Sequence, residues 1–345
     1  MVEFCGWEMP LFYSGIIQEH QQVRKGVGIF DISHMGRLVI KGKDAERFLD
    51  YLSTNRIAGK KDGSATYTVW TLPQGGCVDD VIVFKINPQE FFVIANAGNR
   101  EKDLQHLLKH SQNFDVQIHD RYHEDGILAI QGPKAQGLVS SLFPEADQLK
   151  AMCFAPIDFQ GNLIWLSHTG YTGAGGFEIF APSSAIDQLW DLFLTHGKDA
   201  GIVPVGLGAR DTLRLEMGYA LYGHEISEDI APTESIAAWS VKLNKDDFLG
   251  KASLIDLQTS PAKRSEYGIV MLDKGIARHD YPVLKDGKLI GRITSGTLSP
   301  SLNKAIAIAL VQGPLKEGEI VEVQIRNNLC RAQVATLPFL QTPHN

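Results

Sequence analysis

Ala65-Thr66-Tyr67-Thr68-Val69-Trp70, Val81-Ile82-Val83-Phe84-Lys85-Ile86 and Phe91-Phe92-Val93-Ile94-Ala95 are short runs of β-branched and aromatic residues, the composition that a pleated, half-buried strand favours. Asn87-Pro88 between the last two is a turn signal. From Asn99 to His110 the period changes: Leu104, Leu107 and Leu108 stand at i, i+3, i+4, the spacing of a helix with one buried face. Ile127-Leu128-Ala129-Ile130 then repeats the strand signal, and Gly132-Pro133 follows, with Pro133 suited to the first turn of a helix running to about Leu142. Strands and helices in this order predict a mixed sheet with helices on one face, an α+β arrangement. Outward from this stretch, a further strand is expected at Asn162 to Leu166. A helix is expected from Ala185 to His196, with Ile186, Leu189, Trp190 and Phe193 inward and Gly197 as its stop.

From about residue 265 the pattern becomes all-β. Short runs recur at Gly268 to Leu272, Pro282 to Leu284, Leu289 to Thr294, Ala305 to Val311, Glu319 to Ile325 and Leu329 to Thr336. Asp286-Gly287 is the strongest short hairpin signal among them, and Asn327-Asn328 reads as a second tight turn. A small sandwich or barrel therefore fits residues 265–345, with Ser260-Pro261-Ala262-Lys263-Arg264 as the linker from a region spanning 1–259.

Length and charge narrow the class. A chain of 345 residues accommodates about two or three domains at one per roughly 150 residues. Its four cysteines, Cys5, Cys77, Cys153 and Cys330, form no CxxC pair, which argues against a zinc ribbon, a redox motif or a disulfide scaffold. A net charge of −7, with no basic run longer than a pair, argues against a general nucleic-acid binder. No apolar stretch approaches the roughly 18 residues of a membrane span, and the start lacks the regions of a signal peptide. The expectation is a cytoplasmic protein that uses neither membrane nor nucleic acid, with no metal.

Several chemistries lack their motifs. There is no GxxxxGK[ST], no HExxH and no GxSxG. Gly206-Leu207-Gly208-Ala209-Arg210-Asp211 begins like a dinucleotide fingerprint but has Asp at the third glycine. His106 with His110 and His119 with His123 are each four apart without the Glu of a zinc helix, and read as solvated histidines on or near a polar helix face.

Four stretches could carry chemistry. Gly75-Gly76-Cys77-Val78-Asp79-Asp80 places two carboxylates where a turn enters a strand. Alternation sends them to opposite faces, one into the protein and one to solvent; the competing reading is a turn acid capping the hairpin. Ser167 to Glu178 has four glycines in seven residues, suited to backbone held close to something planar, with Tyr171 to stack and Glu178 to accept hydrogen bonds, or else to a plain flexible loop. Arg210 and Arg214 share a helix face, for a carboxylate ligand or for internal pairing with Asp211 or Glu216. Asp31-Ile32-Ser33-His34 offers a Ser/His couple with no third member.

Taken together, these phrases resemble the aminomethyltransferase, or T-protein, of the glycine cleavage system. The resemblance runs through Phe4-Cys5-Gly6-Trp7-Glu8-Met9-Pro10, Val27 to Gly36, Gly75 to Asp80, Ala95-Asn96-Ala97-Gly98-Asn99, Gly170-Tyr171-Thr172-Gly173, Gly206 to Asp211, Leu221-Tyr222-Gly223 and Ile293-Thr294-Ser295-Gly296. It implies a three-lobed, cloverleaf-like fold, with mixed α/β lobes around a central folate site and a C-terminal β-barrel-like lobe. The reaction it implies takes an aminomethyl group carried on the lipoyl arm of the H-protein, releases ammonia and leaves the one-carbon unit on tetrahydrofolate as methylenetetrahydrofolate. By motif, Asp80 is the catalytic carboxylate and Asp79 the structural one. Folate or substrate contacts carry over to Met35, Tyr67, Phe84, Asn96, Tyr171, Glu178, Arg210 and Trp239.

The chain departs from the family in places. The expectation is that either an opening segment before Met1 is missing or the start site is misassigned. Gly173-Ala174-Gly175-Gly176 replaces a Gly-Glu-Asp-Gly loop, Phe84 stands where relatives often have Tyr, and Pro338 to Asn345 lacks the tyrosines of some relatives. Two rivals on the same scaffold are a folate-dependent demethylase and a non-enzymatic folate-binding factor of iron–sulfur maturation. The second carries a Lys-Gly-Cys-Tyr-type phrase where this chain reads Asp247-Phe248-Leu249-Gly250-Lys251.

Overall fold

The computed structural model describes residues 1–260 and 263–342; part of the expected linker, Pro261-Ala262, and the last three residues of the tail lie outside them. Two open sheets and a closed barrel account for most of the strands. One sheet orders Ser64–Thr71, Cys77–Asn87, Glu90–Ala95, Gly36–Lys41 and Gln117–Asp120, all antiparallel. The other orders Phe154–Phe159, Asn162–Ser167, Gly176–Pro182, Asp125–Gln131, Gly28–Asp31 and Val203–Pro204, parallel only at the last pair. The stretch 64–145 therefore does not build one sheet: its first three strands enter the five-stranded sheet, and Asp125–Gln131 crosses to the six-stranded one. Local periodicity announces strands but carries no term for which neighbour each will pair with.

Burial on both faces explains why these strands read as continuous apolar runs. Along Asp125–Gln131, Leu128 and Ile130 meet the helices Ala135–Leu142 and Ser183–His196, whereas Ile127 and Ala129 meet the five-stranded sheet. On the five-stranded sheet, Phe91, Val93 and Ala95 join the core beneath the helices Ala45–Leu52 and Arg100–His110, while Phe92 and Ile94 face the other sheet. Each sheet is thus covered by helices on its outer face and by its partner on the inner one. The shared layer is aromatic at its centre: Phe84 contacts Phe92, Phe154 and Phe180 at centroid distances of 6.1, 5.3 and 5.1 Å.

The C-terminal strands Arg264–Met271, Lys304–Gln312, Lys288–Ser299, Pro282–Lys285, Ile320–Ile325 and Asn328–Ala335 close into a barrel. Asp286 and Gly287 form its two-residue hairpin turn, at φ 51° and 71°, as expected for a turn that needs two left-handed residues. The second tight turn falls one residue earlier than expected, at Arg326-Asn327, with Arg326 taking the positive φ. Pro133 likewise precedes its helix, which begins at Ala135. Ile306 and Ile308 point out of the barrel onto Leu215 of the helix Leu207–Glu216, fastening barrel to sheets.

Candidate functional site

Gly75 and Gly76 feed the Cys77–Asn87 strand. Gly75 sits at φ +98°, and a Cβ on Gly76 would lie 1.9 Å from the Glu228 carbonyl oxygen. The loop after Leu221 therefore closes directly on this turn, where the Cys77 N–H donates to the Ser227 carbonyl at 2.9 Å. Gly76→Ala is expected to displace that loop and lower stability by about 1–3 kcal/mol, read as the midpoint of urea unfolding. An unchanged midpoint would show that the loop yields without cost.

Asp79 and Asp80 are strand residues rather than turn acids. Pleating sends Asp79, with Val81 and Val83, toward the helix Arg100–His110, and Asp80, with Ile82 and Phe84, toward the other sheet. Neither stands free in solvent as one was expected to: Asp79 is fully buried, and Asp80 is half-buried. The Asn96 side-chain amide bridges the two, donating to Asp79 Oδ1 at 2.9 Å and Asp80 Oδ1 at 2.7 Å. The Tyr67 hydroxyl donates to Asp80 Oδ2 at 3.0 Å. Burial, and then the Asp79 charge behind it, push the Asp80 carboxyl up to about 7.

Aromatic rings and two further charged groups surround this carboxylate. Trp239, 64% exposed, stacks on Tyr67 with ring centroids 5.3 Å apart, so an aromatic pair stands beside Asp80 with the Tyr67 hydroxyl on it. Tyr171 stacks on Tyr219, donates to the Ala220 carbonyl and lies near enough to feel the Asp80 charge. Arg210 sits over the Tyr171 ring at 4.7 Å. Among the described residues none of its guanidinium N–H groups has a recorded hydrogen-bond acceptor, and Glu178 is the nearby acid. Glu178 receives the Thr169 hydroxyl on Oε2; burial raises its carboxyl despite that bond. The glycine loop is fastened to Gln131 through the Thr172 hydroxyl. Met35 packs at the edge of the aromatic layer. Phe84 is wholly buried behind the site, so it supports the wall from within and presents no surface to a ligand.

The two helix arginines part company. Arg214 is internally paired, to Asp211 at 2.9 Å and Glu225 at 2.9 Å, while Arg210 faces the site. Glu216, an expected partner, instead binds Arg24 and His20. Glu225 had no sequence signal, because it arrives from a loop and takes its partners from elsewhere: Arg214, the Leu221 backbone N–H and the barrel's Thr294. Ser33 and His34 make no couple: the Ser33 hydroxyl bonds the backbone of Ile127, and His34 Nδ1 is buried without a partner. Burial and then the nearby Arg210 and Arg37 charges hold His34 neutral, at about 3. His119 and His123 are exposed but lie on a strand and a turn, and His106 is buried rather than solvated. A cavity of about 90 Å³ opens beside Arg210, lined by Trp7, Tyr13, Phe30, His34 and Leu207; of the expected contacts only Arg210 borders it. Among the described residues, no group of three or more His, Cys, Asp or Glu side chains is placed to hold a metal, and no helix is long and apolar enough to cross a membrane.

Facing sheets with a barrel fastened across them define a protein of the mixed α/β class, and a carboxylate of raised pKa among aromatic rings is its candidate site. Family comparison makes this specific. The GCVT N-terminal domain matches residues 1–245, and the glycine cleavage T-protein C-terminal barrel domain matches 264–341. Aminomethyltransferases of Herpetosiphon aurantiacus and Chlorobium luteolum are 44% and 42% identical, covering 98% and 99% of this chain and 94% and 95% of theirs. The crystal structure of glycine cleavage system aminomethyltransferase T from Bartonella henselae superposes with a TM-score of 0.91 at 31% identity, covering 98% of this chain and 93% of that one. The chain belongs to the glycine cleavage T-protein family of aminomethyltransferases, whose reaction is folate-dependent.

Proposed function

We propose that the Asp80 cluster is where this chain carries out the family's reaction, passing the methylene carbon of aminomethyl-lipoyl H-protein to tetrahydrofolate with release of ammonia. The observation that carries this reading is Asp80 itself, a partly buried carboxylate of raised pKa held by Tyr67 and Asn96. The residues suit a folate. Arg210 has donors to spare, Glu178 keeps one oxygen free of hydrogen bonds for an amino-pyrimidine edge, and the Tyr67–Trp239 pair and Tyr171 offer ring faces. Folate supplies the nucleophilic nitrogen and takes the one-carbon unit. Asp80 accepts the proton released as that nitrogen attacks, Asn96 and Tyr67 fix its oxygens, and the aromatic face excludes water. We assign residues 1–259 to this folate-binding region and 265–345 to the barrel, and place the protein in the cytoplasm with lipoylated H-protein as its transient partner.

The test supplies tetrahydrofolate, aminomethylated H-protein and purified chain, and measures ammonia and methylenetetrahydrofolate. Folded protein that binds folate yet gives neither product would overturn the reading and favour a demethylase on the same scaffold. The pH profile follows from the sign of the shift. A base with a raised pKa is protonated below that value, so kcat/KM is expected to fall as pH drops through about 7. A limb at the ordinary carboxylate value would remove Asp80 as the base.

A further inference from the structure

Asp103 lies in the first turns of the helix Arg100–His110, fully buried, and neither of its oxygens receives an N–H or O–H donor. Its carboxyl lies against that of Asp79, whose charge adds to burial in pushing it up. Asp79, by contrast, accepts from the Asn96 backbone N–H at 2.9 Å, the Asn96 amide at 2.9 Å and the Asn99 amide at 2.5 Å. Two touching carboxyl groups cannot both be ionised in such a place without severe cost, and the proton belongs on the one that has no donors.

We propose that Asp103 is a positioning residue, a neutral acid that donates its proton to Asp79 and so holds the Asp79–Asn96 unit on which Asp80 rests. This rests on Asp80 being the catalytic base. The pair then carries a single charge, on Asp79, and the Asn96 amide spends one hydrogen on Asp79 and the other on Asp80. Burial, reinforced by the Asp79 charge, raises the Asp103 carboxyl well above its usual range, in the same direction. The charged and titratable groups that act on it are Asp79 and Asp80 from the strand, Tyr222 from the loop after Leu221, and Lys102 from its own helix, where His106 follows one turn on. Lys102 is drawn away to the Tyr222 hydroxyl, and burial, then the nearby basic side chains, keep His106 neutral.

Difference infrared spectroscopy in H₂O and D₂O at alkaline pH is expected to show a buried protonated carboxyl that disappears in Asp103→Asn and persists in Asp80→Asn. Asp103→Asn keeps a donor toward Asp79, so it is expected to retain turnover with its acid limb unmoved. Asp103→Leu loses that donor and is expected to lower kcat about tenfold or more through misplacement of Asp80. Asp103→Asn that removes no protonated-carboxyl intensity beyond what the buried Glu266 supplies, or an acid limb shifted to lower pH in that variant, would show that Asp103 is ionised and overturn the proposal. Parental kcat in folded Asp103→Leu would do the same. An acid limb that survives in Asp80→Asn would instead defeat the assignment of Asp80, and the infrared result on Asp103 would stand apart from it.

Discussion

Asp80→Asn is expected to lower kcat by about 10²–10⁴-fold, the range a positioned proton acceptor contributes, while folate binding persists. The substitution keeps the shape of the group. An Asn carbonyl can still accept from Asn96, and the Tyr67 hydroxyl can turn to accept from the new amide. What is lost is the ability to take a proton near neutral pH. Asp79→Asn should lose less turnover, because Asp79 contacts only the protein. It puts an NH₂ against donors, however, and is expected to cost about 1–3 kcal/mol of stability. Single-turnover kinetics, folate titration and thermal unfolding separate these effects. Equal turnover in Asp80→Asn and the parent protein would defeat the base assignment.

The largest stability effect is expected at Glu216. This fully buried carboxylate receives Arg24 at 3.0 Å, His20 at 3.1 Å, the Ser301 backbone N–H at 3.1 Å and hydroxyl at 2.9 Å, and the Ser299 hydroxyl. It thereby ties the helix Ile16–Lys25 and its own helix to the barrel turn after Ser299. Glu216→Ala leaves Arg24 largely buried without its counter-charge, a change that typically costs about 3–5 kcal/mol. Burial alone would raise this carboxyl, but hydrogen bonds from His20 and Ser299 and the Arg24 charge outweigh it and hold it down to about 2. The stabilisation is therefore complete above the ordinary value of 4.5 and is lost as pH falls toward about 2. Denaturant titrations across that window should show acid weakening the parent protein more than the variant. Parallel pH dependences would show that Glu216 is not the group responsible.

The barrel was legible because it is built from local signals. Each strand is a short β-rich run, and Asp286-Gly287 can adopt the two left-handed conformations that a short hairpin demands, so six strands could be placed along the chain before any was paired. The two sheets were less legible. Ile127 to Ile130 reads as a strand from its composition, yet nothing within it says that it joins Gly28–Asp31 and Gly176–Pro182 rather than the strands nearest in sequence.

At the site the same division holds. Residue types and their order were enough to single out the Asp79-Asp80 pair, the glycine loop and the Arg210/Arg214 helix, and to place the chain in its family. Alternation alone required the two aspartates to part. The tertiary structure decided which of them faces the aromatic rings, which arginine stays unpaired, and that Phe84 lies behind the site. It also brought in Asp103 and Glu225, and gave Glu216 partners other than the helix arginines. These three are ordinary acids in the sequence; each becomes significant only through partners from other elements, because burial and hydrogen bonding are properties of an enclosed volume that several distant segments create together.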